Sequence, residues 1–480
     1  LNPGIQSVSP WKFTLKQGYR KWVLVVKGLW RYNRAMRAIC SKRILTPEGW
    51  REGVLLIERG VITEILPSIP SYFVGSIDNA DDLAVLPGVV DTHVHVNEPG
   101  RTEWEGYESA THGAARGGTT TLVDMPLNCS PVTTTSRALK EKLSALKNKL
   151  FVDCGFWGGV VPGSIDDLSE LTRAGVLGVK SFLIDSGIDE FPEMKIPDLE
   201  RAMKILKDSR LPYLLHAELD NGEAENVEIS SQYASFLASR PRSFENQAIE
   251  AILETCERTG CRTHIVHLSS SDALSILKNA RSRNLPVSVE TCPHYLVLSS
   301  EEIEDGQTLY KCCPPIREAE NRESLWSGLK QGIIDFVVSD HSPCTPSLKL
   351  MESGDLEGAW GGISSLQFSF SLVWTEASRR GIDLSTISRL MSLEPARFAG
   401  LAERKGSLEP GKDADLFFFD PEESYALERE GILHRHSDTP YLGRRLKGSV
   451  KRTYLRGEII YDNGNFPGIP GGRPLLKELK

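Results

Sequence analysis

The chain has 480 residues, 40% hydrophobic and 25% charged. That is enough to bury a large core and to form two or three domains, or one barrel of roughly 250 residues or more with a smaller companion. A formal charge of −8 provides no global attraction to nucleic acid or anionic lipid, so neither is indicated as a partner. Nine cysteines without a CxxC spacing fit a reducing compartment better than a disulfide framework.

No acidic residue precedes Glu48, whereas ten basic residues accumulate from Lys12 to Arg43. The apolar stretch within this region, Trp22 to Val26, is shorter than the ~7–15 residues of a signal peptide and the ~18 of a membrane span. Residues 1–40 are therefore expected to be a basic extension, transit-like or disordered. The expected compartment is the cytoplasm, with the endoplasmic reticulum or another organelle as the alternative. A membrane-surface or nucleic-acid role would rest on this extension alone.

From Ile44 to Pro67 apolar and polar residues alternate around Gly and Pro turns, the pattern of hairpin strands. Gly406–Asp420 and Val450–Gly464 repeat it near the other end. Each segment is too small for its own core, so residues 41–85 and 396–465 are expected to pack together as one small β-sandwich. Residues 466–480 are then a tail.

Between these ends, residues 86–395 alternate strand-like apolar runs with helix-like stretches, which implies parallel strands joined by helical crossovers. The eight runs are GVVDTHVHV, TTTLVDMP, FVDCGFWGGV, VLGVKSFLI, PYLLHAE, THIVHLS, VSVETCPHYL and DFVVSDH. Helices are expected at Ser136–Leu150 and Asp198–Arg210. The leading architecture is thus α/β: a (β/α)8 TIM barrel, in which chemistry sits at the C-terminal ends of the strands, with the sandwich beside it.

Those strand ends carry a consistent set of side chains. His93 and His95, two residues apart, share one face of a strand and can point at one ion. Taken alone, such a pair is explained equally well by exposed alternation or by core histidines with satisfied hydrogen bonds. Lys180, set among Val179, Phe182 and Leu183, must snorkel, pair or lose its charge. His216, His267 and Asp340 end later runs and are ambiguous singly. Together, four histidines, a lysine and an aspartate on one rim suit borderline divalent metals, and they exceed what one catalytic ion requires. Two ions are therefore expected. Lys180 fits among them only if it is neutral and chemically converted, for example by carbon dioxide into a carbamate that can bridge both ions.

This set resembles that of the binuclear metal-dependent amidohydrolases, and specifically their cyclic amidase branch of dihydroorotases, hydantoinases or dihydropyrimidinases, and allantoinases. The resemblance runs from about Ser41 to Gly464. The segments DTHVHVNEPGRTEWEGYESAT, GGTTTLVDMPLN, FLIDSGIDEFP, ETCPHYL, KCCPPIR, VSDHSPC and GAWGGISSLQ are most similar to allantoinases. Dihydroorotases usually carry an arginine two residues after the second histidine, where this chain has Asn97.

The resemblance implies hydrolytic opening of (S)-allantoin to allantoate. His93, His95 and Asp340 would hold the more buried ion and His216 and His267 the more exposed one. Carboxylated Lys180 would lie between them, and Asp340 would act as the catalytic acid and base. Zinc is the expected metal, with manganese, cobalt or iron as alternatives, and a homotetramer is implied. Asn97, Asn128, Ser186 and Cys313 are the expected substrate contacts, Cys313 through its backbone. Asn97 and Asn128 have loop formation as the competing reading. His294 and His341 are expected to support the ligands, and His264, His112, His434 and His436 to be structural or solvent-facing. The Asn128-Cys129-Ser130 glycosylation pattern falls in the expected active-site loop and is expected to stay unmodified. A hydantoinase or dihydropyrimidinase would share every metal ligand, and a non-catalytic scaffold would keep the fold without them.

Overall fold

The computed structural model describes residues 36–477. The basic extension falls almost wholly outside the described residues. The first strands are β1 (Met36–Thr46), β2 (Gly49–Glu58) and β3 (Val61–Leu66), an antiparallel meander with two-residue turns. Arg59 and Gly60 turn the second of these with φ of 53° and 83°, the left-handed pair that matches strand twist in a tight hairpin. β4 (Ser76–Asn79) and β5 (Ala84–Pro87) both lie parallel to β1.

The central strands follow as β6 (Val89–Val94), β7 (Thr119–Asp124), β8 (Asp153–Phe156), β9 (Gly158–Gly159) and β10 (Val179–Phe182). They continue as β11 (Tyr213–His216), β12 (Thr263–Ile265), β13 (Val287–Thr291) and β14 (Phe336–Val337). All pair in parallel, in chain order, as one sheet from β6 to β8 and another from β9 to β14. Each of the eight apolar runs forms strand here, the third split into β8 and β9 at Trp157. The Trp157 amide donates to the Asp124 carbonyl at 3.0 Å, which links the two sheets. At the far end His341 bridges Val94 in parallel, and the His95 amide donates to the His341 carbonyl at 2.8 Å. β6, β7, β8 and β11 are buried along their whole length, as expected of parallel strands covered on both faces.

The crossovers are amphipathic helices. In Ile196–Leu206 the buried residues are Leu199, Ala202, Met203 and Leu206, one stripe at helical spacing. This helix starts two residues before the expected Asp198, because Pro197 suits a first turn, and Arg210 at φ 56° ends the segment. Ser136–Ala145 is capped by the Thr135 hydroxyl, which accepts from the Ala138 amide at 3.1 Å, and such a cap contributes about 1 kcal/mol. It stops short of the expected Leu150, and Asn148 at φ 63° turns the chain away. No helix among the described residues is long and apolar enough to cross a membrane.

The chain closes with β15 (Leu416–Ala426), β16 (Arg445–Leu455), β17 (Glu458–Asp462) and the short β18 (Pro474–Leu475), which adds to β8. β15 lies antiparallel to β5, from Leu416 opposite Pro87 to Phe419 opposite Ala84. The two ends of the chain therefore share one continuous eight-stranded sheet. Ile39, Leu55, Ile57 and Val85 from its first half pack with Leu416, Phe418 and Tyr454 from its second. Where this sheet meets β8, buried Lys405 lies between Asp415 (2.5 Å), Asp153 (2.6 Å) and Asp413 (2.9 Å). Arg456 adds a second cation on Asp153 at 2.6 Å.

Candidate metal centre

β6 delivers His93 at its end and His95 just beyond, with Nε2 atoms 3.2 and 3.6 Å from the Asp340 carboxylate. Ligand atoms of these three residues all lie within 4.8 Å of one another. Asp340 follows β14 in a left-handed conformation, φ 43°, and His267 follows β12 at φ 38°. Left-handed backbone at a residue with a side chain costs about 1–3 kcal/mol and gathers at functional sites. Asn97 (φ 66°) and Asn128 (φ 62°) share it.

His216 ends β11. Its Nδ1 faces His267 Nε2 at 3.1 Å, and its Nε2 donates to Glu218 at 2.7 Å. A histidine that gives one N–H to a buried carboxylate keeps a lone pair on the other nitrogen. Here that lone pair points at a second imidazole nitrogen, an arrangement that a shared cation would satisfy. Lys180, from β10, lines the same cavity as the four histidines, with its Nζ 4.9 Å from the Phe182 ring centroid. Among the described residues no carboxylate reaches ion-pair distance of it. Burial, opposed by Glu290 and Asp340, lowers the Lys180 ammonium from its usual range to about 7.

The donors have matching supports. His93 Nδ1 donates to Glu290 at 2.5 Å, and the other Glu290 oxygen accepts from His264 Nε2 at 3.1 Å. Burial alone would raise Glu290, but His93 and His264 outweigh it and hold the carboxyl at about 2. Asp91 accepts from the His93 and Ser339 amides, tying β6 to the segment that carries Asp340. Burial likewise works against ionised Asp340, yet His93 and His95 keep it well below the usual carboxylate range. Burial depresses His95, His216 and His267, leaving them neutral and able to ligate.

Asn128 supplies another sign of fit. Its Nδ2 lies 3.4 Å from His95 Nδ1 while its Oδ1 is buried without a partner among the described residues. Rotating the amide by half a turn lets Oδ1 accept from His95 Nδ1–H and leaves the His95 Nε2 lone pair free toward Asp340. Four imidazoles, one carboxylate and an amine of lowered pKa thus surround one space with donors suited to borderline divalent cations.

That space is a cavity of about 430 Å³, lined by His93, His95, Lys180, His216, His267 and Asp340 together with Asn128, Ser186 and Cys313. Asn97 does not line it. Its Nδ2 donates to the Pro343 carbonyl at 3.1 Å and braces the loop after Asp340. The Ser186 hydroxyl donates to the Phe191 carbonyl at 2.6 Å, within its own loop. His341 lies against Glu105 and His264 between Ser288 and Glu290. His294 is buried with neither ring nitrogen partnered among the described residues, and shares a cluster with Cys292 and Asp340. On the opposite wall Gly362 takes φ 115°, and a Cβ there would stand 2.3 Å from the Ser342 carbonyl.

Sequence reasoning does not single out Glu290, Glu218, Asp91 or Arg240. One signal for two of them is present: VSVET and LLHAE each place a glutamate inside or directly after an apolar run, where an ionised side chain needs a partner.

Residues 84–460 match the profile of the amidohydrolase family. The allantoinase of Streptomyces avermitilis is 47% identical over 440 residues, covering 91% of this chain and 98% of that protein. The allantoinase of Saccharomyces cerevisiae is 42% identical over 432 residues, covering 88% and 92%. Among solved structures, the L-hydantoinase (dihydropyrimidinase) of Arthrobacter aurescens superposes with a TM-score of 0.88 at 27% identity, covering 92% of this chain and all of that one.

Proposed function

The chain belongs to the amidohydrolase family, and from that premise we propose that it is an allantoinase, a hydrolase that opens the hydantoin ring of (S)-allantoin to give allantoate. The observation that carries this reading is the convergence of His93, His95, Lys180, His216, His267 and Asp340 on one cavity, in a chain similar to allantoinases over nearly its whole length. We read the parallel strands as one closed (β/α)8 barrel over residues 86–395, and the shared sheet of 41–85 and 396–465 as its companion sandwich.

His93, His95 and Asp340 would hold one ion, His216 and His267 a second, with carboxylated Lys180 between them; zinc suits these donors best. When bound, the ions supply Lewis acidity and a water that is nucleophilic at neutral pH.

The chain's own groups do the rest. Neutral Lys180 Nζ forms a bond to the carbon of carbon dioxide, a C–O electron pair moves onto oxygen, and the amine proton leaves to solvent. Asp340 takes the proton from the attacking water. It returns that proton to the ring nitrogen as the C–N bond breaks, since an amide nitrogen leaves poorly as an anion. Glu290 and Glu218 fix the imidazole tautomers that keep the donor nitrogens free. Asn128, Ser186 and the Cys313 backbone form the substrate-facing wall, and Asn97 holds the loop behind Asp340.

Metal content and allantoin hydrolysis, measured on the wild type and Lys180→Ala, test the reading. The variant is expected to lose bound metal and nearly all turnover. Full activity with both metals retained would refute the carbamate. A wild type that opens dihydrouracil and not allantoin would shift the assignment to a dihydropyrimidinase.

A further inference from the structure

Arg240 stands in the wall of the same cavity, at the junction where the helix Tyr233–Ser239 ends and Pro241 starts the helix Arg242–Thr259. Both its backbone and one arm of its guanidinium are fixed. The Arg240 amide donates to the Leu237 carbonyl at 3.2 Å, and Arg240 Nη1 donates to Glu218 Oε2 at 2.7 Å. The same Glu218 oxygen accepts from His216 Nε2.

Two consequences follow from that chain of contacts. Glu218 is fully buried and pairs with the Arg240 guanidinium at 2.7 Å, so the cavity does not present a bare cation selecting for anions. Yet Arg240 Nε and Nη2 make no hydrogen bond among the described residues, and the side chain keeps 22% exposure at the cavity wall. Lys311 in the same cavity differs: its Nζ is committed to the Glu357 and Ala359 carbonyls at 2.8 and 2.7 Å. Arg240 is thus a rigid, charge-compensated fork whose open N–H groups suit a neutral carbonyl oxygen.

We propose that Arg240 determines specificity by donating to the carbonyl oxygen of the ureido group on the substrate ring, while its bound Glu218 positions His216. This rests on the allantoin reading above. Allantoin and hydantoin share the reacting ring and differ by that ureido substituent, so a fork aimed at it distinguishes the two. A site built to hydrogen-bond a substrate group discriminates strongly against the analogue lacking it.

The experiment is a cycle of two substrates, allantoin and hydantoin, against wild type, Arg240→Lys and Arg240→Gln. Metal content and thermal unfolding are recorded for each protein. Where hydantoin is not turned over, its Ki as a competitive inhibitor replaces kcat/KM. Arg240→Gln, whose amide can still donate to Glu218, is expected to keep its metal and to lower kcat/KM for allantoin about 10- to 100-fold more than for hydantoin. Arg240→Lys should recover part of the loss. An equal fall on both substrates, or no fall on either, overturns the inference. Wild type that ignores allantoin while opening hydantoin overturns the functional reading with it, and that outcome is visible before any variant is made.

Discussion

Replacing Glu290 with glutamine removes a charge from beneath the metal centre while nearly preserving shape. In the wild type each carboxylate oxygen accepts from one imidazole, His93 at 2.5 Å and His264 at 3.1 Å. The amide has one acceptor and one donor. Its oxygen can keep His93 Nδ1–H, and its NH2 can face His264 Nε2 if His264 moves its proton to Nδ1, where the Ser288 hydroxyl at 2.8 Å can accept it. Every hydrogen bond is thereby retained, so little global destabilisation is expected. What is lost is the negative charge that makes His93 a better donor. Removing such supports costs metal affinity about 10- to 100-fold, or about 1.4 to 2.7 kcal/mol. The assay is competitive zinc titration of the chelator-stripped protein, with urea unfolding of the same samples. Zinc affinity within twofold of wild type would refute the argument that Glu290 tunes His93, and a loss of several kcal/mol of apo stability would show that the amide cannot be accommodated.

Lysine carboxylation should follow the neutral fraction of Lys180. With a pKa lowered to about 7 by burial, the amine is mostly charged below pH 7 and mostly neutral above it. At constant dissolved carbon dioxide the rate of activity recovery by apoprotein and zinc should rise about tenfold from pH 6 to pH 8, and a flat profile would contradict the shift. At the opposite end of the strands, Lys405→Met leaves Asp415 with no cation among the described residues, although Arg456 still serves Asp153 and Arg404 serves Asp413 at 2.6 Å each. Breaking a buried pair on one side costs about 3–5 kcal/mol, and removing both partners often restores much of it. Urea unfolding should therefore place Lys405→Met well below wild type and the double variant with Asp415→Leu between them. A single-variant cost under about 1 kcal/mol would refute the buried-network reading.

The strands were legible because a buried parallel strand writes itself as an unbroken apolar run, and all eight runs between Gly88 and His341 form strand. The His93–His95 pair was legible for the same reason: a period of two is local, and both rings do face Asp340. The supports were not. Glu290 lies 197 residues from His93, and nothing near either residue encodes that meeting beyond the oddity of an acid in an apolar run. Left-handed φ at His267 and Asp340 was not legible, because histidine and aspartate visit that conformation more often than most residues but still seldom, and the surrounding fold decides where. Asn97 reads as a cavity residue from its place after the histidines, but it sits one layer back, where its own left-handed turn aims the amide at Pro343. The two end segments were expected to meet, and they do. That they share one continuous sheet depends on β5 choosing β15 as its neighbour, a pairing across more than 300 residues that periodicity cannot reveal.

That pairing sets a timetable for the growing chain. β5 leaves the ribosome with one edge open, and its partner β15 is about 330 residues away, roughly 16 to 66 s of synthesis at ~5–20 residues per second. Throughout that interval the strand that leads directly into His93 presents unpaired amides and apolar side chains such as Val85 and Leu86. Lys180, His216, His267 and Asp340 are all synthesised within that interval, so the whole ligand set is made before β5 gains its second neighbour.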